Sequence, residues 1–349
     1  MRKKHSLAYG IARAKLQGIP YKLNYAVTYR CNARCEICSI WKKYQLSPQT
    51  QGEEMTLEDI DLIFRDFDLS WLSLTGGEPF LRDDLVAITT SAERHNNHLA
   101  LLTLPTNGLL PLRVAQTIEQ ILEETTIPNI FCSVSLDGDQ SLHDKLRGVE
   151  GTFEKAKTCY ELLKNIEEEN DRFCVFIEFT LSQFNAGVLL DALKSFGVTD
   201  FSRVIVTAAH SSHFYGTSFR CLHTTTSPDQ IDVFLSCCRH AGIENLIPHI
   251  YTRLLKKYLT GNLSSLRCVS GRSSFFLDPY GILYPCITMD TPFGNLKESP
   301  LSTLLQTQRS KSIVKKIREG KCPGCWTPCE AYQAILEGFP RALKLSMST

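Results

Sequence analysis

Up to about residue 210 the chain alternates short apolar runs with longer amphipathic stretches. Six runs stand out: "LNYAVTY", "WLSLTGG", "ALLTLPTNG", "IFCSVSLDG", "CVFIEFTL" and "RVIVTAA". Each is short and rich in β-branched and aromatic residues, and several end on Gly, Asn or Asp, as strands of a buried parallel sheet do. Between them, "TLEDIDLIFRDF" predicts a helix with Thr56 as N-cap and Asp59 at the acidic N3 position. "PLRVAQTIEQILEET" and "GTFEKAKTCYELLKNIEEEN" repeat apolar residues at three- and four-residue spacing, again helical. Six such units predict an α/β protein with a parallel sheet, either doubly wound or curved into a barrel.

Beyond residue 215 the rhythm changes. "SPDQIDVFLSCCRHAGIENLIPHIYTRLLKKYLTG" predicts helices. "SSFFLDPYGILYPCI" predicts a hairpin turning on Asp-Pro-Tyr-Gly. "LSTLLQTQRSKSIVKKIREG" predicts a last helix ending at Gly320, which delivers the chain to "CPGCWTPC".

Composition narrows the class. The 349 residues are 43% hydrophobic and 21% charged, as in a globular enzyme with one large and one smaller domain. A net charge of +1 gives no field to draw in nucleic acid or an acidic membrane, so neither is expected as a partner. The basic opening "MRKKHSLAYGIARAKLQGIP" has no apolar run of signal-peptide length, and no stretch suits a membrane span, so a cytoplasmic location is expected. Fourteen cysteines is a large number for that compartment, where clustered thiols act as metal ligands or reactive groups. Six of them, Cys132, Cys159, Cys174, Cys221, Cys237 and Cys238, lie scattered on apolar stretches and are expected as small buried hydrophobes.

The other eight are grouped. Cys31, Cys35 and Cys38 fall within "YRCNARCEICSIW", directly after the first strand. Their spacing also suits one face of a helix, but the polar flanks Arg30, Asn32 and Arg34 argue for a loop. Three thiolates in such a loop suit an iron–sulfur cluster with one iron left open. Zinc is the competing metal, but it usually takes four ligands, and no fourth lies nearby in sequence. The second strand then ends in "TGGEP", Thr75 to Pro79, about forty residues on.

CxxxCxxC and TGGEP on consecutive strand ends resemble the radical S-adenosylmethionine (SAM) superfamily. Ile37 stands where such families often place an aromatic residue, and it serves equally to pack against adenine. The resemblance implies a partial (β/α)6 TIM-type barrel and a [4Fe-4S] cluster whose open iron is bound by the amino and carboxylate groups of SAM. One electron would then cleave a carbon–sulfur bond of SAM and release a 5′-deoxyadenosyl radical. The protein's part is binding and positioning, and its site is expected at the C-terminal ends of the strands. Gly76, Gly77, Glu78 and Pro79 are the expected SAM-binding turn, with the two glycines letting backbone approach the methionine amino group. "SVSLDGDQSLHDKLRG" is similar to the fourth-strand segment of radical SAM enzymes that carry extra clusters. That implies Ser135 for the SAM ribose and Arg147 for its carboxylate, to which a guanidinium fork is suited. Asn107, in "PTNG", is a further candidate, although turn chemistry explains an Asn-Gly equally well.

The late cysteines run C-x12-G-x4-C from Cys268 to Cys286, then C-x2-C-x3-C at Cys322, Cys325 and Cys329. This resembles the C-terminal SPASM and twitch auxiliary-cluster domains. A full SPASM domain has seven cysteines for two clusters, whereas this chain has five there, which implies one auxiliary [4Fe-4S] cluster and one spare thiol. Twitch precedent uses Cys268, Cys286, Cys322 and Cys325; the longer pattern would bring in Cys329. A structural zinc site remains the alternative for four thiolates. Where sulfatase-maturing relatives carry a basic aspartate, this chain has Ile287, which argues against sulfatase maturation. Asp278 is expected as a turn residue, and His210 and His213 follow the sixth strand and are candidates for the substrate mouth.

The expected organisation is an N-terminal extension at 1–19, the core barrel at 20–215, a helical connector at 216–262, a small α+β auxiliary-cluster domain at 263–332 and a tail at 333–349. The expected function is radical abstraction of hydrogen from a peptide or small molecule, in peptide modification or cofactor and natural-product biosynthesis. A flavodoxin- or ferredoxin-type protein would supply electrons. The competing readings are a dehydrogenase of a small alcohol and a non-catalytic iron–sulfur electron carrier.

Overall fold

The computed structural model describes residues 7–215, 228–238, 246–261 and 266–347. All six predicted strands form: β1 (Lys22–Thr28), β2 (Trp71–Gly76), β3 (Leu101–Thr106), β4 (Asn129–Leu136), β5 (Phe173–Leu181) and β6 (Val204–Ala208). They pair in parallel in chain order, and β1 and β6 do not meet, so the barrel stays open. Helix α1 (Leu7–Gln17) precedes them, and the single turn α2 (Lys43–Leu46) follows the cysteine loop. The crossovers contain α3 (Leu57–Phe64), α4 (Leu85–His95), α5 (Pro111–Glu124), α6 (Gln140–Arg147), α7 (Thr152–Glu169) and α8 (Leu189–Phe196). Thr56 caps α3 as expected: its Oγ1 accepts from the Asp59 N–H at 3.2 Å, while Asp59 Oδ2 accepts from the Thr56 N–H at 3.1 Å.

The strands alternate more than fully buried ones would. On β5, Phe173, Val175, Ile177, Phe179 and Leu181 are buried in the main apolar core, whereas Glu178 and Thr180 turn the other way, into the barrel lumen. The lumen is therefore a cavity into which the strands send polar side chains such as Ser133, Glu178 and Thr180, not a packed core.

The second half holds α9 (Pro228–Cys237), α10 (Leu246–Leu259), β7 (Ser274–Leu277), β8 (Ile282–Tyr284) and β9 (Gly294–Asn295). The hairpin forms as predicted, with β7 and β8 antiparallel. Asp278 is indeed its turn residue: Oδ1 accepts from the N–H groups of Tyr280 and Ile282 at 3.0 and 2.8 Å. Strand β7 also pairs in parallel with β1, so the C-terminal strands continue the barrel sheet in the order β6-β5-β4-β3-β2-β1-β7-β8-β9.

The predicted last helix is two helices, α11 (Leu301–Gln306) and α12 (Gln308–Arg318). The break falls at Thr307, whose Oγ1 accepts from the Ser310 N–H at 3.1 Å and starts α12 afresh. Residues 333–349, expected as a tail, carry the second half of α13 (Pro328–Glu337) and all of α14 (Phe339–Met347). Ile335 and Ala342 there are fully buried in the main core. Of the scattered cysteines, Cys132 and Cys159 are buried as expected, Cys174 and Cys238 partly so, and Cys237 is exposed; Cys221 lies outside the described residues, as does part of the expected connector. Among the described residues no helix is long and apolar enough to cross a membrane.

Candidate active site

The cysteine loop is not a helix; residues 29–39 are irregular. Two elements pin it. On one side the C-terminal end of α6 accepts its backbone: Arg34 N–H donates to the Arg147 carbonyl at 2.8 Å and Glu36 N–H to the Leu146 carbonyl at 2.9 Å. On the other, Ser39 N–H donates to the Tyr215 carbonyl at 2.6 Å. Within the loop, Trp41 Nε1 donates to the Cys35 carbonyl at 3.4 Å. The helical alternative for the three thiols is thereby set aside.

Cys31, Cys35 and Cys38 open onto a cavity of about 350 Å³ at the C-terminal ends of the strands. Burial pushes the thiols of Cys31 and Cys38 up to about 12 and raises that of Cys35, so each holds its proton until a metal displaces it. Two side chains reach these sulfurs: Arg147 Nη1 lies 3.9 Å from Cys35 Sγ, and Asn107 Nδ2 lies 3.9 Å from Cys31 Sγ. All three thiols line this one cavity, with Arg147 and Asn107 as neighbouring donors, and three thiols from one loop suit a cluster with an open corner.

The sequence-predicted residues converge on the same cavity. Gly76, Gly77, Glu78, Asn107, Ser135 and Arg147 all line it; Pro79 does not, and instead opens a short 3₁₀ turn. The glycines have a packing role that the sequence did not disclose. A side chain on Gly76 would overlap the Thr28 carbonyl, and one on Gly77 the Arg30 carbonyl. Their smallness lets the end of β2 lie against the chain leaving β1, with Gly77 N–H donating to the Thr28 carbonyl and Glu78 N–H to the Arg30 carbonyl, each at 2.8 Å.

Glu78 is buried and hydrogen-bonded. It accepts from the Asn107 N–H at 2.8 Å, Thr106 Oγ1 at 3.0 Å and the Phe80 N–H at 3.4 Å. Burial nevertheless raises its pKa to about 7. Asn107 serves both purposes weighed from sequence. Its Oδ1 closes a turn by accepting from the Leu109 N–H at 2.9 Å, and its Nδ2 donates to Asn32 Oδ1 at 2.8 Å beside the cysteine loop. Arg147 is no surface ion pair: its Nε lies 2.7 Å from Oδ2 of the fully buried Asp137.

The far wall belongs to the C-terminal region, with Ile287, Thr327, Cys329 and Tyr332 facing the cavity. His210 is at the cavity too, its Nε2 buried without a partner among the described residues, and burial holds it neutral, with a pKa of about 4. His213 is exposed. Sequence reasoning passed over Lys22 and Glu178, both inside the lumen. The signal was there, as each is a charge inside an apolar strand pattern.

A second pocket gathers Cys268, Cys286, Cys322 and Cys325. Ser270 Oγ and Thr288 Oγ1 lie 3.1 Å from the sulfurs of Cys268 and Cys286. Cys329 is not brought there. It opens on the barrel cavity, and its carbonyl accepts from Lys22 Nζ at 2.7 Å.

Comparison with known proteins agrees with this layout. Residues 25–184 match the model of the radical SAM superfamily, and residues 268–327 match that of an iron–sulfur cluster-binding domain, SPASM. The second match contains the four gathered cysteines and stops short of Cys329. An AdoMet-dependent heme synthase of Methanosarcina barkeri is 24% identical over 339 residues, 88% of each chain. Pre-heme d1 synthase of Dinoroseobacter shibae is 31% identical over 176 residues, 48% of this chain and 38% of the relative's length. Among solved structures, native anSMEcpe with bound AdoMet superposes with a TM-score of 0.59 at 20% identity, covering 94% of this chain and 99% of that one, a likeness of fold. This chain therefore carries a radical SAM domain, whose family equipment is a SAM-binding [4Fe-4S] cluster, followed by an auxiliary iron–sulfur cluster-binding domain, SPASM.

Proposed function

We propose that the protein uses SAM as a radical source to abstract hydrogen from a substrate held between the barrel and the C-terminal region, in peptide modification or in cofactor or natural-product biosynthesis. The observation that carries this reading is the single cavity shared by the three loop thiols, the ends of β2, β3 and β4, and the C-terminal wall at Ile287 and Cys329. When bound, the cluster and SAM supply one-electron cleavage to a 5′-deoxyadenosyl radical. The chain's own residues supply the rest. Cys31, Cys35 and Cys38 would hold that cluster. Arg147, fixed by Asp137, presents the remainder of its guanidinium toward the loop, where it suits the methionine carboxylate. Asn107 and Ser135 offer hydrogen bonds to the polar parts of SAM. Cys268, Cys286, Cys322 and Cys325 hold one auxiliary cluster, leaving Cys329 outside it.

Relatives named as heme synthases and as a sporulation killing factor maturation protein keep both a tetrapyrrole-type and a peptide substrate in view. Ile287, buried in the cavity wall, has no basic group to offer a substrate there. A low-potential flavodoxin- or ferredoxin-type protein is the expected reductant, and a cytoplasmic location accords with oxygen-sensitive clusters. The test is spectroscopic. In anaerobically reconstituted, dithionite-reduced protein, added SAM should shift the electron-spin signal of one cluster. An unchanged spectrum at saturating SAM would show that SAM does not reach that cluster.

A further inference from the structure

The charges inside the barrel can be counted against one another. Arg147 is paired with buried Asp137. Lys22 donates to the Cys329 carbonyl and rests its ammonium 3.9 Å from the centre of the Trp71 ring. Glu78 accepts from three donors. Glu178, midway along β5 and lining the same cavity, has among the described residues one donor, Ser133 Oγ at 2.9 Å, and no ion pair. A carboxylate offers about four acceptor sites, so most of its capacity is unspent. Leaving it charged and unpaired away from water is costly, and burial accordingly raises its pKa, against a weaker pull from Arg147.

Glu178 stands opposite Ser135 in the register of β4 and β5 and shares the cavity with Cys329 and Tyr332 of the far wall. The loop thiols feel chiefly Glu78, Asp137, Arg147 and one another. The charge of Glu178 acts on Cys329 and Tyr332 of the far wall and on Tyr215, whose carbonyl pins the cysteine loop. Around it the lumen presents hydroxyls, among them Ser133, Thr180 and Thr207.

Resting on the reading of this cavity as the radical site, we propose that Glu178 is the anchor for an ammonium group of the substrate, so that the enzyme acts on an amine-bearing molecule or side chain. An ammonium neutralises the carboxylate and fills its free acceptor positions. The hydroxyls of the lumen then take the substrate's remaining polar atoms.

The test uses cluster-loaded, SAM-saturated full-length protein and two probes of equal size, n-butylammonium and n-butanol, followed by ligand-observed NMR. The wild type should bind the amine about tenfold or more tightly than the alcohol, the range of a charge-assisted hydrogen bond. Glu178→Gln, with iron content and melting checked against wild type, should erase that preference. No preference in the wild type overturns the proposal without recourse to any variant, and so does a preference that survives in E178Q. If E178Q instead weakens SAM binding in equilibrium dialysis while leaving the amine untouched, Glu178 serves SAM and the proposal falls. Failure of the underlying reading would appear separately, as wild-type protein that yields no 5′-deoxyadenosine on reduction.

Discussion

At the scale of single residues, spacing made the metal-binding thiols legible, but contacts decide their grouping. CxxxCxxC and the C-terminal cysteines are visible in the sequence, yet no spacing rule separates Cys329 from its neighbours. It follows Cys325 by four residues, and the turn through Trp326 and Thr327 carries it to the other side of the wall. Cys329→Ala should therefore keep the full iron and acid-labile sulfide content, whereas Cys325→Ala should lose up to about half, one of two four-iron clusters, by colorimetric assay. Equal losses in the two variants would place Cys329 among the ligands. The glycines of TGGEP teach a related lesson. The motif was found from sequence, but the neighbour that requires its smallness was not. Gly77→Ala forces a methyl into the Arg30 carbonyl and should lower apoprotein stability by about 1–3 kcal/mol in chemical denaturation, before any question of SAM binding arises.

At the scale of elements, strands and helices followed the hydrophobic period closely, and the exceptions have causes. The helix expected over 301–320 divides because Thr307 caps its second part, a choice that periodicity does not register. The lumen charges were missed because Lys22 and Glu178 sit in runs whose apolar neighbours dominate the strand pattern. Glu78 shows how one side chain ties elements together, linking the end of β2 to the end of β3 through the Asn107 N–H and Thr106 Oγ1. Its folded pKa of about 7 lies above the ordinary 4.5, so the folded state holds the proton more tightly. The resulting stabilisation is fully present below pH 4.5 and is lost as pH rises through 7, on the order of 3 kcal/mol in all. His143 and His210, held neutral by burial, act in the opposite sense below pH 6.5, so the wild-type profile alone mixes these effects. The stability difference between wild type and Glu78→Gln isolates the carboxyl. It should move against the wild type between pH 5 and pH 8 and then level off. A difference that is flat across that range would mean Glu78 is ionised throughout.

At the scale of the whole molecule, the sequence suggested a barrel followed by a small C-terminal domain, and the structure joins them through one sheet. Strand β7 pairs along β1, Lys22 donates to Cys329, and Asn24 donates to the Phe275 carbonyl at 3.3 Å and to Glu330 at 3.4 Å. Long-range pairing of this kind leaves no local mark in the sequence, so the boundary near residue 262 could be drawn from composition but its strength could not. A chain ending at residue 262 would expose the β1 edge and the buried Lys22, and it should aggregate in size-exclusion chromatography; a monomeric truncation with a cooperative melt would show that the barrel stands alone. The same joint sets the two cysteine groups on either side of one wall, which is the arrangement the proposed chemistry requires. The most direct measurement of the central claim is the yield of 5′-deoxyadenosine from SAM when anaerobically reconstituted protein is reduced with dithionite. Wild type should produce it and the variant with Cys31, Cys35 and Cys38 all changed to Ala should not; product from that variant, or none from fully iron-loaded wild type, would contradict the account.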